Sequence, residues 1–148
     1  MTELSLPDKY LLRLIESDDY DRGFFDLLAQ LTAAPKLERE IFEEIISDKN
    51  INIYVIEDRE TGKLVATMRL NFERKLIRNG GLVCHFEDFV VDERHRKAGL
   101  GSFLVRFSQI KASERNCYKI LGICVEGLMP YYEKQGFKKT GFVFGRYF

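Results

Sequence analysis

The sequence predicts an α/β domain in which a mixed central β-sheet is flanked by helices, with elements in the order βααβββαβαβ. Three observations carry that expectation. Apolar spacing switches repeatedly between a period of two and a period near 3.6 along the chain. One segment, Leu82 to Val91, is apolar on both of its period-two faces, as a central strand covered on both sides must be. Finally, 148 residues with 45% apolar and 31% charged content, and no repeat, low-complexity tract or interdomain linker, fit one domain spanning 1–148. A chain of that length buries enough surface to hold a core without a disulfide or a metal.

The elements follow in order. Tyr10 to Ile15 is a short apolar run with one charge, read as a strand, and Ser17-Asp18-Asp19 behind it offers helix N-caps. Phe24, Leu27, Leu28 and Leu31 then recur at helical spacing, and after the break at Pro35 so do Leu37, Ile41, Phe42, Ile45 and Ile46. Ile51 to Glu57 alternates and is β-branched, Asp58 to Gly62 has turn chemistry, and Leu64 to Phe72 resumes an apolar strand, which makes a hairpin. Lys75 to Gly81 is a polar loop with a basic edge, suited to an anion. After the central strand, Leu100, Phe103, Leu104, Phe107 and Ile110 share a helix face. Tyr118 to Val125 is again a strand, and Met129 to Gln135 a short helix stopped by Gly136 at a left-handed C′ position. Phe137 to Phe148 is expected to close the domain as a strand, with Phe142, Phe144, Arg146 and Phe148 on one side.

Charge and cysteine content exclude several function classes. Lys plus Arg and Asp plus Glu both number 23, so there is no overall positive field of the kind a nonspecific nucleic-acid or anionic-membrane binder needs. Cys84, Cys117 and Cys124 are odd in number, lack Cys-x-x-Cys spacing and have apolar or aromatic neighbours; they read as reduced core thiols of an intracellular protein. Met1 to Tyr10 has no secretory-type apolar run, no stretch is apolar and long enough to span a membrane, and Arg146-Tyr147-Phe148 is not a peroxisomal address. The expected location is the cytoplasm.

The most informative segment is Glu87 to Ser102, where a strand ending near Asp92 leads through Arg96-Lys97-Ala98-Gly99-Leu100-Gly101 into a helix. Gly99 and Gly101 carry no Cβ, so backbone amides at the helix N-terminus can approach an anion that the helix dipole favours. A pyrophosphate fits there. No Gly-Lys-Ser/Thr follows and no third glycine is present, so the loop is neither a Walker A loop nor a dinucleotide fingerprint.

Arg96-x-x-Gly99-x-Gly101 after such a strand resembles the acyl-CoA-binding motif of the GCN5-related N-acetyltransferase (GNAT) superfamily. Its second signature, an aromatic-Tyr pair on a short helix leading to Gly-Phe, is matched by Tyr131-Tyr132-Glu133-Lys134-Gln135-Gly136-Phe137. The element order also matches the GNAT fold across nearly the whole chain. Within the superfamily the sequence is similar to the glucosamine 6-phosphate N-acetyltransferase family from Leu12 to the C-terminus. The matching segments are Arg22-Gly23-Phe24-Phe25, Gln30-Leu31-Thr32, Gly62-Lys63-Leu64-Val65-Ala66-Thr67, Glu87-Asp88-Phe89-Val90-Val91 and Asn116-Cys117-Tyr118-Lys119-Ile120.

That resemblance implies transfer of acetyl from acetyl-CoA, with no metal, to the 2-amine of glucosamine 6-phosphate, a step toward UDP-N-acetylglucosamine. It implies a homodimer whose subunits share the substrate site, with small molecules rather than nucleic acid or membrane as ligands. It implies residue roles as well. Arg96, Lys97, Ala98, Gly99, Leu100, Gly101 and Ser102 match the segment that holds the CoA pyrophosphate, with Phe89, Val90, Val91 and Lys134 on the same cofactor side. Tyr132 matches the catalytic tyrosine whose hydroxyl faces the departing sulfur, where it protonates or stabilises the thiolate; a partly buried core tyrosine is the structural alternative. Glu87 and Asp88 match the strand that lines the sugar pocket, and Thr32, Lys75, Arg78, Tyr118 and Lys119 match other substrate-contacting segments. Lys75, Arg78, Lys119 and Arg146 are the candidate cations for the sugar phosphate, with a solvated face as the alternative for any one of them, and Arg146 is the candidate for the C-terminal arginine that in the family reaches the partner's substrate.

Strict alternation sends Glu87 and Asp88 to opposite faces, so they are not expected to act as a pair on one atom; either can instead pair with Arg94 or Arg96. Two positions depart from the family pattern: Ile123 stands where an acid is common, and Leu128 where an Asn often precedes the aromatic-Tyr pair. The expected chemistry is direct attack by a neutral amine on the thioester in a ternary complex, with backbone amides near Phe89 to Val91 polarising the carbonyl. His85 and His95 sit in no recognisable triad. Two other readings are an acetyltransferase for a different small amine and a non-catalytic acyl-CoA-binding module.

Overall fold

The computed structural model describes residues 4–148. Residues 1–3 of the segment read above for a signal lie outside the described residues. Strands β1 (Tyr10–Leu14), β2 (Ile51–Asp58), β3 (Lys63–Arg74), β4 (Leu82–Val91) and β5 (Cys117–Gly122) form one sheet in that spatial order. Neighbours are antiparallel up to β4, and β4 and β5 run parallel, so the sheet is mixed as expected. Helices α1 (Phe24–Leu28) and α2 (Arg39–Ser47) precede β2, α3 (Leu100–Glu114) makes the crossover from β4 to β5, and α4 (Met129–Glu133) follows. Among the described residues no helix is long and apolar enough to cross a membrane.

The double-sided apolar character of the central strands follows from two cores, one on each sheet face. On one, Leu100, Leu104, Val105 and Ala112 of α3 pack against Ile56, Met68, Leu70, Phe72, Cys84 and Phe86. On the other, Phe24, Phe25, Leu27 and Phe42 pack against Ile53, Val55, Leu64 and Val90. Val55 and Ile56 are adjacent, face opposite ways, and are both fully buried. A part-buried ion cluster around the buried Asp19 ties β1 to β2. Arg13 donates to both carboxylate oxygens of Asp19 (2.7 and 2.8 Å) and to Glu57 (2.9 Å), while Asp19 also accepts from the Glu16 amide. Burial raises the Asp19 pKa, but the Arg13 hydrogen bonds and charge outweigh it and hold the carboxyl below its ordinary value.

Three expectations are corrected. The helix that starts at Phe24 ends at Leu28, so Leu31 lies beyond it and is exposed, and Ser17–Asp21 forms a 3-10 turn. The fifth strand stops at Gly122, and Ile123 and Val125 are exposed. Most important, residues 137–148 adopt no helix or strand within the single chain. A strand exists only by pairing, and these residues pair with no strand of the sheet, although β5 is an edge. Phe142, Phe144, Tyr147 and Phe148 are accordingly 87 to 109% exposed. The left-handed stop at Gly136 is as expected, with φ of 89°.

Candidate active site

The site is built on a flaw in β4. Thr67 pairs with Val90 and Arg69 with Glu87, so two residues of β4, Asp88 and Phe89, stand opposite Met68 alone. This is a β-bulge, and Asp88 takes the left-handed conformation with φ of 47°. Its effect on side chains is direct. Alternation counted from Phe86 sends Val90 to the α3 side; the extra residue reverses that, placing Val90 against α1 and α2 and Val91 against α3. Glu87 stands opposite Arg69 in the ladder and Asp88 meets the same Arg69, so the two acids share a face and the opposite-face argument fails at the bulge. Neither pairs as the alternative had it. Arg94 is held by Asp92, Arg96 donates to the Val91 carbonyl, and the cation facing Asp88 is Arg69, at 3.8 Å.

Beyond Phe86, which pairs with Gly122, β4 continues through Val91 without a partner on β5. The strands part there. Phe89 packs against Phe86 at 5.0 Å between ring centroids, and Tyr132 sits edge-on to Phe86 at 6.4 Å and to Phe137 at 6.0 Å. Burial, with smaller contributions from Tyr131 and Cys124, pushes the Tyr132 phenol up to about 12. Its proton therefore stays in place at neutral pH, the state a proton donor requires.

The loop after β4 is a 3-10 turn, Glu93–Ala98, that ends at Gly99 in the left-handed region with φ of 79°. That φ is the physical reason for glycine there. The helical ladder of α3 begins with Phe103 donating to the Gly99 carbonyl, so the amides of Leu100, Gly101 and Ser102 lie ahead of it. Arg96, Lys97, Ala98 and Gly99 are exposed beside these amides, whereas the Leu100 side chain is fully buried and offers only its backbone. A Cβ on Gly101 would stand 3.0 Å from the Tyr131 hydroxyl and 3.5 Å from the Phe89 ring. Gly101 is thus the close-approach position that brings α3, the end of β4 and the tyrosine pair together. Lys134 is exposed at the end of α4, and Gln109 of α3 donates to the Gln135 carbonyl at 2.7 Å, tying α4 to α3.

The substrate-side residues fall into separate groups. Thr32 is exposed in the loop behind α1, near the bulge end of β4 through the contact of Gln30 with Asp92. Lys75, Arg78, Tyr118 and Lys119 gather at the other end of β4. Arg78 lies 5.8 Å and Lys119 5.5 Å from the Tyr118 ring centre, Lys75 donates to Glu73 at 2.6 Å, and Gly81 leaves the room Tyr118 occupies, since a Cβ there would meet the ring at 2.6 Å. From Leu82 to Glu87, at about 3.3 Å per residue, is roughly 17 Å. These cations therefore gather at the opposite end of β4 from the bulge at Asp88 and Phe89. Arg146 lies over Phe148 at 5.1 Å, in the segment that joins no sheet.

Both histidines are partnered, His95 with the Tyr10 hydroxyl at 3.0 Å and His85 with Glu73 at 2.7 Å. Of the cysteines, Cys84 is buried, Cys117 and Cys124 half-buried, and all are free thiols. Sequence reasoning missed Arg69, and it named Tyr131 and Gln30 only as motif members without a role of their own. Arg69 is the one charge in the apolar run Leu64 to Phe72, a legible anomaly. It lines, with Thr67 and Asp88, the polar end of a cavity of about 130 Å³ walled by Phe24, Phe25, Leu28 and Phe42.

Comparison with known proteins agrees with this geometry. The family model for the Acetyltransferase (GNAT) family matches residues 13–137. Glucosamine 6-phosphate N-acetyltransferase 1 of Oryza sativa subsp. japonica is 39% identical over 146 residues, covering 95% of this chain and 88% of that protein. The Arabidopsis thaliana glucosamine 6-phosphate N-acetyltransferase is 35% identical, covering 97% and 99%. A crystal structure of the Arabidopsis enzyme superposes with a TM-score of 0.88 over 95% of this chain and 99% of that one. The chain belongs to the acetyltransferase (GNAT) family and, within it, to the glucosamine 6-phosphate N-acetyltransferases.

Proposed function

We propose that the chain transfers the acetyl group of acetyl-CoA to the 2-amine of D-glucosamine 6-phosphate, giving N-acetyl-D-glucosamine 6-phosphate and CoA for UDP-N-acetylglucosamine biosynthesis in the cytoplasm. The observation that carries the reading is the parting of β4 from β5 beside both the N-terminus of α3 and Tyr132. In this reading the pyrophosphate lies against the amides of Leu100, Gly101 and Ser102, with Arg96 and Lys97 alongside. The thioester follows the unpaired end of β4, where amides of Phe89 to Val91 polarise its carbonyl. The neutral amine attacks, the C–S bond breaks, and Tyr132 gives its proton to the thiolate. The amine proton leaves to water or a backbone carbonyl.

The sugar phosphate needs cations, and the placing of Lys75, Arg78 and Lys119 at the Leu82 end of β4, roughly 17 Å of strand from Glu87 at the bulge, argues that a second subunit supplies them. The working form is therefore a homodimer with a shared site. The exposed Phe142, Phe144, Tyr147 and Phe148 support it, because a segment so apolar gains by pairing with a sheet edge of a partner and carries Arg146 there. The test is release of free thiol from acetyl-CoA on addition of glucosamine 6-phosphate. Release that depends on both substrates is expected, and release no faster than acetyl-CoA hydrolysis alone would overturn the reading.

A further inference from the structure

Gln30 makes two hydrogen bonds to residues more than 60 positions away in sequence. Its Nε2 donates to Oδ2 of Asp92 at 2.9 Å, and its Oε1 accepts from the Glu93 amide at 2.9 Å. The amide orientation is fixed by chemistry, since a backbone N–H only donates and a carboxylate only accepts. Asp92 follows β4 directly and caps the 3-10 turn, accepting from the amide and guanidinium of Arg94, and it is buried although Gln30 is exposed. Gln30 thus fills the Glu93 amide of that first turn, which Asp92 does not cap, and joins it to the segment that runs on to Thr32.

We propose that Gln30 is a positioning residue that couples the acceptor-side loop carrying Thr32 to the loop that holds the CoA pyrophosphate. The proposal rests on the reading of the α3 N-terminus as the CoA site. Two physical effects support it. The bridge fixes where the turn Glu93–Ala98 starts, and hence where the amides of Leu100 to Ser102 point. It also helps to offset a buried negative charge next to a site for an anion. The Asp92 carboxyl is held well below the usual carboxylate range, first by Arg94 and then by Gln30, against the opposing effect of burial. It stays ionised at any working pH, so whatever faces it must donate.

Gln30→Glu keeps the shape and the bond from the Glu93 amide but sets a carboxylate against Asp92. The expected result is a Kd for CoA about tenfold higher by calorimetry, with KM raised for both acetyl-CoA and glucosamine 6-phosphate and a smaller change in kcat. Gln30→Glu combined with Asp92→Asn restores a donor facing an acceptor between the two side chains, at the loss of the bond from Arg94 Nη2 to Oδ2, and both constants move back toward the parent, recovering at least half of the change on a logarithmic scale. Gln30→Ala, which adds no charge, moves the same constants less and carries the test if Gln30→Glu does not fold. A purely structural role would lower Tm and leave the folded protein's constants alone. A parent chain that does not bind CoA would overturn the reading of the loop and the proposal with it. A parent that binds CoA, with the single variants unchanged in both constants or the double variant unrecovered while folded, overturns the bridge alone.

Discussion

Replacing Tyr132 by Phe removes one hydroxyl and little else. The ring contacts with Phe86, Tyr131 and Phe137, at 6.4, 5.1 and 6.0 Å, do not involve the oxygen. Losing a half-buried hydroxyl changes stability by at most about 1 kcal/mol, or about 2–4 °C in Tm for a chain of this size. The catalytic effect is of another order. A positioned proton donor contributes about 10²-fold or more, which is about 2.7 kcal/mol of barrier. Tyr132→Phe is thus expected to lower kcat about 100-fold with KM for acetyl-CoA within about threefold. The pH profile adds a second reading. With the phenol pushed up to about 12, only about one molecule in a thousand has lost that proton at pH 9. Tyr132 therefore gives the parent no falling limb up to pH 9. The assay is thiol release under saturating substrates, with a melting curve on each sample. A folded Tyr132→Phe variant with kcat within about twofold of the parent refutes the proton-donor role.

The remaining predictions concern stability and assembly. Asp19→Asn takes from Arg13 the carboxylate that accepts two of its hydrogen bonds, leaving it Glu57, and is expected to destabilise by about 2 kcal/mol, visible as a Tm drop of roughly 6 °C. Because the folded-state pKa of Asp19 is lowered from 3.8, its contribution is complete above that pH and is lost as pH falls further, so the variant's Tm should decline less steeply than the parent's below about pH 4. Deleting residues 140–148 is expected to give a monomer by sedimentation, with activity lost; an active monomer would contradict a shared site, and an active dimer would contradict the pairing role of the segment. Mixing Arg146→Ala with Tyr132→Phe chains should restore about a quarter of parental activity, since half of random dimers carry one intact site. No recovery in confirmed heterodimers argues against sharing.

How far the sequence could be read depended on whether the chain alone determines the outcome. The β3–β4 pair was legible because its residues are apolar on both faces, and the two cores confirm why. Gly136 was legible because a helix stop favours glycine in the left-handed region, and Gly99 because a glycine between a strand and a helix marks an anion loop, although its φ of 79° is a second reason that only the structure shows. The bulge was not, since Asp88 and Phe89 look like ordinary members of the strand until Thr67↔Val90 and Arg69↔Glu87 are counted. That one inserted residue undid the opposite-face argument for Glu87 and Asp88. The last segment failed for a different reason. Phe142, Phe144, Arg146 and Phe148 do alternate, but alternation states only that a segment can be a strand, and within the single chain this one pairs with neither edge of the sheet. In the site, motif residues were found one at a time, while the Gln30–Asp92 link and the Arg69–Asp88 pair depend on contacts far apart in sequence.

The central claim is that the acceptor is an amino sugar bearing a phosphate, bound between Tyr132 and a group of cations. Comparing kcat/KM for glucosamine 6-phosphate and for unphosphorylated glucosamine, with acetylated product identified by mass, tests it most directly. Loss of a phosphate held by several charge-assisted hydrogen bonds should lower kcat/KM by at least about 10²-fold. Equal rates with the two sugars, or product only with an unrelated amine, would contradict the account.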